Sequence, residues 1–194
     1  MLKDLVLKNR SYRKFDAAFE IKDTLLFDLI DLARLCPSAG NLQSLRFMPV
    51  WEKPHLDIVF ENLSWAAYLS YWNGPEPQQR PSAYILIIGP TQTNKFHLTD
   101  AGIAAQTILL GATEKGLGGC ILGSVKRQEI KERLSIPEEL EISLVLALGK
   151  PTEKVVIEDV TDPDDIEYWR DPDEVHHVPK RSLNDLIILP MEAK

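Results

Sequence analysis

The chain has 194 residues, of which 44% are hydrophobic and 26% are charged, as is usual for one soluble globular domain. Its net charge of −7 argues against nonspecific nucleic-acid binding, which needs a basic face. The two cysteines form no disulfide framework, and the longest apolar run is far shorter than the ~20 residues of a membrane helix. We therefore expect a cytoplasmic protein that binds neither nucleic acid nor membrane.

Helical spacing marks two segments near the N-terminus. Residues 2–9 are predicted to form a short amphipathic helix that leads into Arg10. A second helix is predicted over residues 24–36, with Asp23 as its cap and Pro37 as its stop. Its apolar residues cover more than one face, so we expect part of it to contact a second subunit.

Apolar runs in the next part of the chain predict strands. Residues 46–51 and 55–60 are short enough to be strands, with a turn at residues 52–54. The continuous apolar run 83–88 is typical of a central strand covered on both faces. Residues 65–80 are predicted to be a helical piece and a loop, whose aromatic side chains belong to the core, a dimer interface or a substrate pocket: Trp65, Tyr68, Tyr71 and Trp72.

The C-terminal half alternates predicted helices and strands. A long helix over residues 99–115, capped by Thr99, carries Gly102 and Gly111, and glycine inside a helix indicates close packing against backbone or ligand. A strand, a helix and a strand are expected next, at residues 119–122, 126–134 and 142–148. The tail from residue 151 to 194 is charged and proline-rich and is predicted to be an extended arm of a single domain covering residues 1–194.

Two basic segments are candidate phosphate ligands. Arg10, Ser11 and Arg13 offer several charge-assisted hydrogen bonds, which suit the strong acceptor oxygens of a phosphate. The alternative is a solvated basic helix end that complements the helix dipole. Lys180 and Arg181 form a second basic pair, which on its own is typical of a charged surface.

A run of small and amide residues follows the second predicted helix. Its members can approach a flat, polar-edged ligand closely and hydrogen-bond its rim: Pro37, Ser38, Ala39, Asn41 and Gln43. The alternative is an ordinary helix-capping loop, because the same residue types form turns.

Residues 116–124 form a glycine-rich passage from helix to strand that ends in Ile121, Leu122, Gly123 and Ser124. A helix terminator followed by a buried strand would explain its first half. No strand-then-GxGxxG order is present, so this is no dinucleotide fingerprint. The histidines lack metal-ligand spacing, and no base can be assigned to a nucleophile, so neither a metal site nor a hydrolase triad is expected.

These segments, in this order, resemble the nitroreductase family. The resemblance extends over the helix and strand at residues 100–124 and the segment 144–151. It implies an α+β fold, a three-layer sandwich with a mainly antiparallel central sheet flanked by helices. It also implies an intertwined homodimer with two FMN sites that use residues of both subunits.

The resemblance also implies roles for the candidate residues. Arg10 and Ser11, with Lys180 or Arg181, would hold the FMN phosphate, and Arg13 would stabilise the negative charge of the reduced flavin. The run from Pro37 to Gln43 would meet the flavin, with Asn41 and Gln43 acting from the second subunit on the ring or the ribityl chain. The segment from Ile121 to Ser124 would lie beside flavin N5.

The implied activity is an FMN-dependent oxidoreductase that passes a hydride from NAD(P)H through flavin N5 to a nitroaromatic, quinone or similar acceptor, in a ping-pong cycle. No side chain is expected to act as acid or base. Ser44-Leu45 stands where the family has Pro-Trp, which leaves open a second reading: a non-catalytic flavin-binding dimer that acts as carrier, sensor or structural protein. Lys126 and Arg127 could recognise the 2′-phosphate of NADPH or belong to the surface.

Overall fold

A four-stranded antiparallel sheet organises the protein, whose computed structural model describes residues 1–92 and 95–190. Its strands are β1 (Arg46–Val50), β2 (Ala83–Pro90), β3 (Gly118–Leu122) and β4 (Leu140–Gly149), in the spatial order β1-β2-β4-β3. Every neighbouring pair is antiparallel. Because β2 is central and buried over all but its last residue, the predicted doubly covered strand is confirmed.

Helices cover this sheet, so the predicted α+β class with a mainly antiparallel sheet is confirmed. They are α1 (Leu2–Lys8), α2 (Asp23–Arg34), α3 (Lys53–Phe60), α4 (His97–Glu114) and α5 (Arg127–Arg133). Ile85 and Ile87 of β2 belong to one apolar core with α2 and α4. Tyr84 alternates with them along the strand and faces a cavity that α3 also lines.

One predicted strand is wrong, because residues 55–60 lie in helix α3. Pro54 occupies the first turn of that helix, where its missing N–H costs nothing and its fixed φ favours the helix. Two predicted caps are also wrong: Lys22 rather than Asp23 precedes α2, and α4 begins at His97, two residues before Thr99. A short apolar run does not distinguish strand from helix, and a proline before it was the available signal.

The aromatic residues of region 65–80 do not form a helix, since the regular element there is a 3₁₀ turn at Pro77–Gln79. Trp65 is buried, with its ring 6.0 Å from that of Phe60. Tyr68 instead contacts Tyr168 at a ring distance of 4.9 Å. Trp65 is therefore a core residue.

The described chain divides into two compact units. The first comprises Met1–Trp65 and Asn73–Thr152, and the second comprises Ala66–Trp72 and the residues from Glu153 onward. In the second unit β7 (His176–Lys180) pairs in parallel with β5 (Val155–Asp159) and antiparallel with β6 (Trp169–Arg170), before a short helix, α6 (Leu183–Leu186). The tail thus contains a small sheet that its sequence pattern did not predict, and the single-domain extent of residues 1–194 stays a prediction.

The second unit is built around a buried ion pair. The guanidinium of Arg170 lies 3.0 Å from the carboxylate of Glu153, and both side chains are almost fully buried. Arg170 also lies over the ring of Trp72 at 4.8 Å.

Within the described ranges, no helix combines the length and apolar character that a membrane crossing requires.

Candidate functional site

Residues 10–13 lie against strand β3, and this contact is called the seam below. Ser11 forms a parallel bridge with Gly119, and the Tyr12 N–H donates to the Gly119 carbonyl at 3.0 Å. A Cβ on Gly118 would lie 2.5 Å from the Tyr12 ring, and one on Gly119 would lie 2.3 Å from the Ala147 carbonyl oxygen. Gly118 is therefore needed for the close approach of residues 10–13, and Gly119 for the packing of β3 against β4.

The two seam arginines are already partly desolvated. Arg13 is only 9% exposed, and its Nη1 donates to the Ser11 carbonyl at 3.2 Å. Arg10 donates from Nη2 to the Val6 carbonyl at 2.6 Å, while its Nε is buried without a hydrogen-bond partner among the described residues. A buried donor without a partner is costly, so this edge of the seam suits an anion.

The C-terminal end of β3 presents an open surface. Ile121 is 39% exposed although it lies in a strand, and Gly123 and Ser124 are exposed as well. A Cβ added to Gly123 would meet no atom within 4 Å. Leu122, by contrast, is buried in the core, so only its backbone remains available to a ligand.

Arg127 holds this end of β3 in place. Its Nη2 donates to the carbonyls of Gly123 at 3.1 Å and Ser143 at 3.3 Å, and its Nε donates to that of Ile142 at 2.8 Å. These bonds tie the end of β3 to β4. With its donors occupied in this way, Arg127 is better explained as a structural clamp than as a ligand for a nucleotide 2′-phosphate.

The loop formed by residues 37–43 has an unusual backbone. Gly40, Asn41 and Gln43 all adopt left-handed conformations, with φ values of 56°, 53° and 48°. The left-handed region costs a side-chain-bearing residue roughly 1–2 kcal/mol, less for asparagine. Strain of this kind persists only where surrounding contacts impose it, and it is frequent at functional sites.

One buried carboxylate anchors the loop. Asp100, in the first turn of α4, accepts a hydrogen bond from the Ala39 N–H at 3.0 Å, and Ser38 Oγ accepts one from the Gln43 N–H at 3.2 Å. Asp100 is 4% exposed, and its Oδ2 has no hydrogen-bond partner in the described part of the chain. The sequence carries no distinct signal for this anchor, because an aspartate in the first turn of a helix is already favoured by the helix dipole.

The anchored loop lines a cavity of about 320 Å³. Pro37, Ser38 and Gln43 lie on one side of it, and Asp100 is part of its wall. Asn41 is exposed on the loop surface. A mixture of apolar wall and few polar groups is typical of sites for small organic ligands: the apolar part comes from Ile30, Ala33, Leu45, Phe47 and Ala104.

The loop and the seam do not meet within one chain. The loop bonds to Asp100 at the start of α4, whereas a Cβ on Gly119 of the seam would contact Leu109. Nine residues of helix separate Asp100 from Leu109, a rise of about 14 Å. The structure therefore brings residues 10–13 against the start of β3, the strand that leads into residues 121–124, and leaves residues 37–43 apart from the seam.

The second basic pair belongs to the second unit. Lys180 is exposed at the end of β7 and forms no ion pair with any described residue. Arg181 donates to the Pro163 carbonyl at 2.6 Å and to the Asp164 carboxylate at 3.3 Å. Among the described residues, no cluster of side chains suited to a metal ion is present.

An antiparallel sheet between helices, with the basic segment of residues 10–13 bridged to its edge strand β3, defines an α+β protein. The chain belongs to the nitroreductase family, because the family model described as "Nitroreductase family" matches residues 6–150. The sequence-based resemblance is thereby confirmed.

Named relatives agree with this assignment. A nitroreductase family protein from Clostridium novyi is 28% identical, with 78% of this chain and 86% of that chain covered and a TM-score of 0.63. An FMN-dependent nitroreductase from Clostridium difficile is 26% identical, with 77% and 87% covered and a TM-score of 0.63. An Archaeoglobus fulgidus protein named "Putative NADH dehydrogenase/NAD(P)H nitroreductase" is 27% identical over 77% of this chain and 85% of its own length. Family and names together support an oxidoreductase.

Proposed function

We propose that this protein is an FMN-dependent oxidoreductase that uses NAD(P)H to reduce nitroaromatic, quinone or similar small acceptors. The observation that carries the proposal is the seam, where a buried arginine donor without a described partner belongs to a segment bridged to the glycine-containing strand β3. Support also comes from the Clostridium difficile relative, whose name states FMN dependence. When bound, FMN would take up a hydride from NAD(P)H and deliver it to the acceptor.

The residues present fit the parts of FMN. Arg10 and Ser11 would bind the phosphate through charge-assisted hydrogen bonds, aided by a cation of the tail. We favour Lys180 over Arg181 in this role, because Arg181 already binds Asp164. The flat ring system would lie on the exposed surface from Ile121 to Ser124, where Gly123 offers no Cβ to obstruct it.

Arg13 would supply the electrostatic stabilisation. It is a fixed positive charge in a largely buried position, where charge interactions are stronger than in water. In that place it favours negative charge that develops on a bound ring during reduction. No acid or base side chain is assigned, because water can supply protons to the acceptor.

We further propose that two copies complete the site. Within one chain the loop of residues 37–43 is separated from the seam, so a second copy would supply it: Pro37, Ser38 and Ala39 as cover, and Asn41 and Gln43 as hydrogen-bonding groups. Exposed apolar side chains on neighbouring helices support a subunit contact. They include Val6 of α1, Phe27 and Leu35 around α2, and Leu98 and Ile103 of α4.

The proposed location is the cytoplasm, because the two free cysteines fit a reducing compartment.

Anaerobic stopped-flow mixing of the FMN-loaded protein with NADH or NADPH tests the activity. We expect the flavin absorbance to bleach and then to recover when a quinone or nitroaromatic is added. Arg13→Ala should slow the bleaching at least tenfold, while Arg133→Ala, an exposed arginine paired with Glu61, should leave it unchanged. A loaded flavin that stays oxidised with both nucleotides would identify a carrier instead of an enzyme.

A further inference from the structure

A second cavity, of about 440 Å³, lies between helix α3 and strand β2. None of the proposed cofactor-binding residues lines it, and it shares no lining residue with the cavity beside the loop. Its volume is within the range of sites for small organic molecules, roughly 300–1,000 Å³. It is therefore a candidate for a second, separate binding site.

A buried phenol lines this cavity. Tyr84 is only 1% exposed and forms part of the cavity wall. Burial raises the pKa of this phenol well above its ordinary value, although Arg80 opposes the shift and Asp57 adds to it. The hydroxyl is therefore protonated at neutral pH and can donate a hydrogen bond to an acceptor in the cavity.

Arg80 lies beside the phenol with unused donors. Its guanidinium carbon is 3.9 Å from the centre of the Phe60 ring, which fixes the guanidinium by stacking. Its Nε is buried without a hydrogen-bond partner among the described residues. Its Nη1 is 3.8 Å from Asp57 Oδ1, too long for the charge-assisted hydrogen bond that such a pair forms at about 2.7–2.9 Å.

Aromatic side chains form much of the remaining wall. Phe19, Trp51 and Phe60 surround the polar pair, and Trp51 is partly exposed. Aromatic walls favour a flat apolar ring, with edge or offset contacts between rings. The charged residues of the wall balance each other, since Lys53 and Arg80 face Glu20 and Asp57. That balance disfavours a dianion such as phosphate and suits a single negative charge.

We propose that this cavity binds a small aromatic carboxylate, whose carboxylate is held by Arg80 and the Tyr84 hydroxyl and whose ring packs against Trp51 and Phe19. The planar guanidinium matches the two oxygens of a carboxylate, and a neutral phenol adds a third donor. The ligand would displace Asp57 from its long contact with Arg80. This site is independent of the proposed flavin chemistry.

Titration with benzoate, followed by amide and indole NMR signals of the isotope-labelled protein in excess FMN, tests the site. We expect saturable shifts of the Trp51 indole N–H and of amides in residues 53–60 and 80–84. Benzyl alcohol, which lacks the charge, should bind at least tenfold more weakly. Arg80→Ala should weaken benzoate binding at least tenfold and Tyr84→Phe severalfold, while Arg133→Ala should bind as the parent protein does.

Two results would overturn the proposal. One is shifts that do not saturate or that centre on residues 37–47 or 121–124. The other is equal benzoate affinity in the parent protein and in Arg80→Ala. If Arg80→Ala does not fold, Arg80→Lys takes its place, because lysine keeps the positive charge without the planar guanidinium. Undiminished benzoate binding by both single variants, Arg80→Lys and Tyr84→Phe, would equally reject the site.

Discussion

The seam and the loop of residues 37–43 are both candidate parts of one flavin site, but they are held in different ways. The seam is a backbone contact with β3, where a Cβ on Gly118 would meet the Tyr12 ring and one on Gly119 would meet β4. The loop depends on side chains, above all on the Asp100 carboxylate, and contains two side-chain-bearing residues with positive φ. The seam is thus part of the fold itself, whereas the loop is strained and owes its shape to one anchor.

The largest effect is expected at the seam. Gly119→Ala would place a Cβ 2.3 Å from a β4 carbonyl oxygen, which must move the backbone. Overpacking of this kind costs up to about 3 kcal/mol, and we expect a loss near that value in urea unfolding. Gly123→Ala is the matched control, because its Cβ meets no atom and should leave stability unchanged. Equal stability of the two variants would mean that β3 is not closely packed against β4 at Gly119.

The loop should respond to loss of its anchor. Asp100→Ala removes the acceptor of the Ala39 N–H, and we expect urea unfolding to show a loss of about 1–3 kcal/mol. Asp100→Asn keeps an oxygen acceptor without the buried charge and should lose less than about 1 kcal/mol. FMN affinity should fall in the alanine variant. A loop whose amide signals do not change in Asp100→Ala would show that the carboxylate is not the anchor.

Relief of strain should separate stability from binding. Gln43→Gly removes the cost of a left-handed backbone at a residue with a side chain, roughly 1–2 kcal/mol. Because glycine loses more backbone entropy on folding, the free energy of unfolding of the FMN-free protein should rise by only about 0.5–1 kcal/mol. The same change removes the amide proposed to bind FMN, and FMN affinity should fall. Leu42→Gly, at a neighbour with φ of −69°, should instead lose stability. A loss in both variants would contradict strain at Gln43.

The smallest effect concerns pH at the start of α4. Burial lowers the pKa of His97 below its ordinary value, and Asp100 opposes this shift. Since the unfolded histidine binds protons more readily than the folded one, stability should fall as pH drops below about 6.5. His97→Gln should flatten this part of the pH profile in urea titrations. An unchanged slope would show that His97 does not titrate differently on folding.

Sequence patterns predicted the parts of the site that local chemistry determines. The apolar run of β2, the helix stop at Pro37 and the glycines before β3 each depend on neighbouring residues. The Asp100 anchor depends on a contact across 61 positions, which no local pattern contains. The positive φ of Gln43 accompanies a hydrogen bond from its N–H to Ser38 Oγ. Helix α3 was missed because a short apolar run fits both periods, and Pro54 was assigned to a turn although proline also favours the first turn of a helix.

The proposed site requires one FMN on each chain, held by the seam of one copy and the loop of the other. The most direct test is the amount of FMN that the purified protein retains after saturation and desalting. We expect one FMN for each chain, with retention strongly reduced in Arg10→Ala. A protein that takes up no FMN, or an Arg10→Ala variant that retains it fully, would rule out this site.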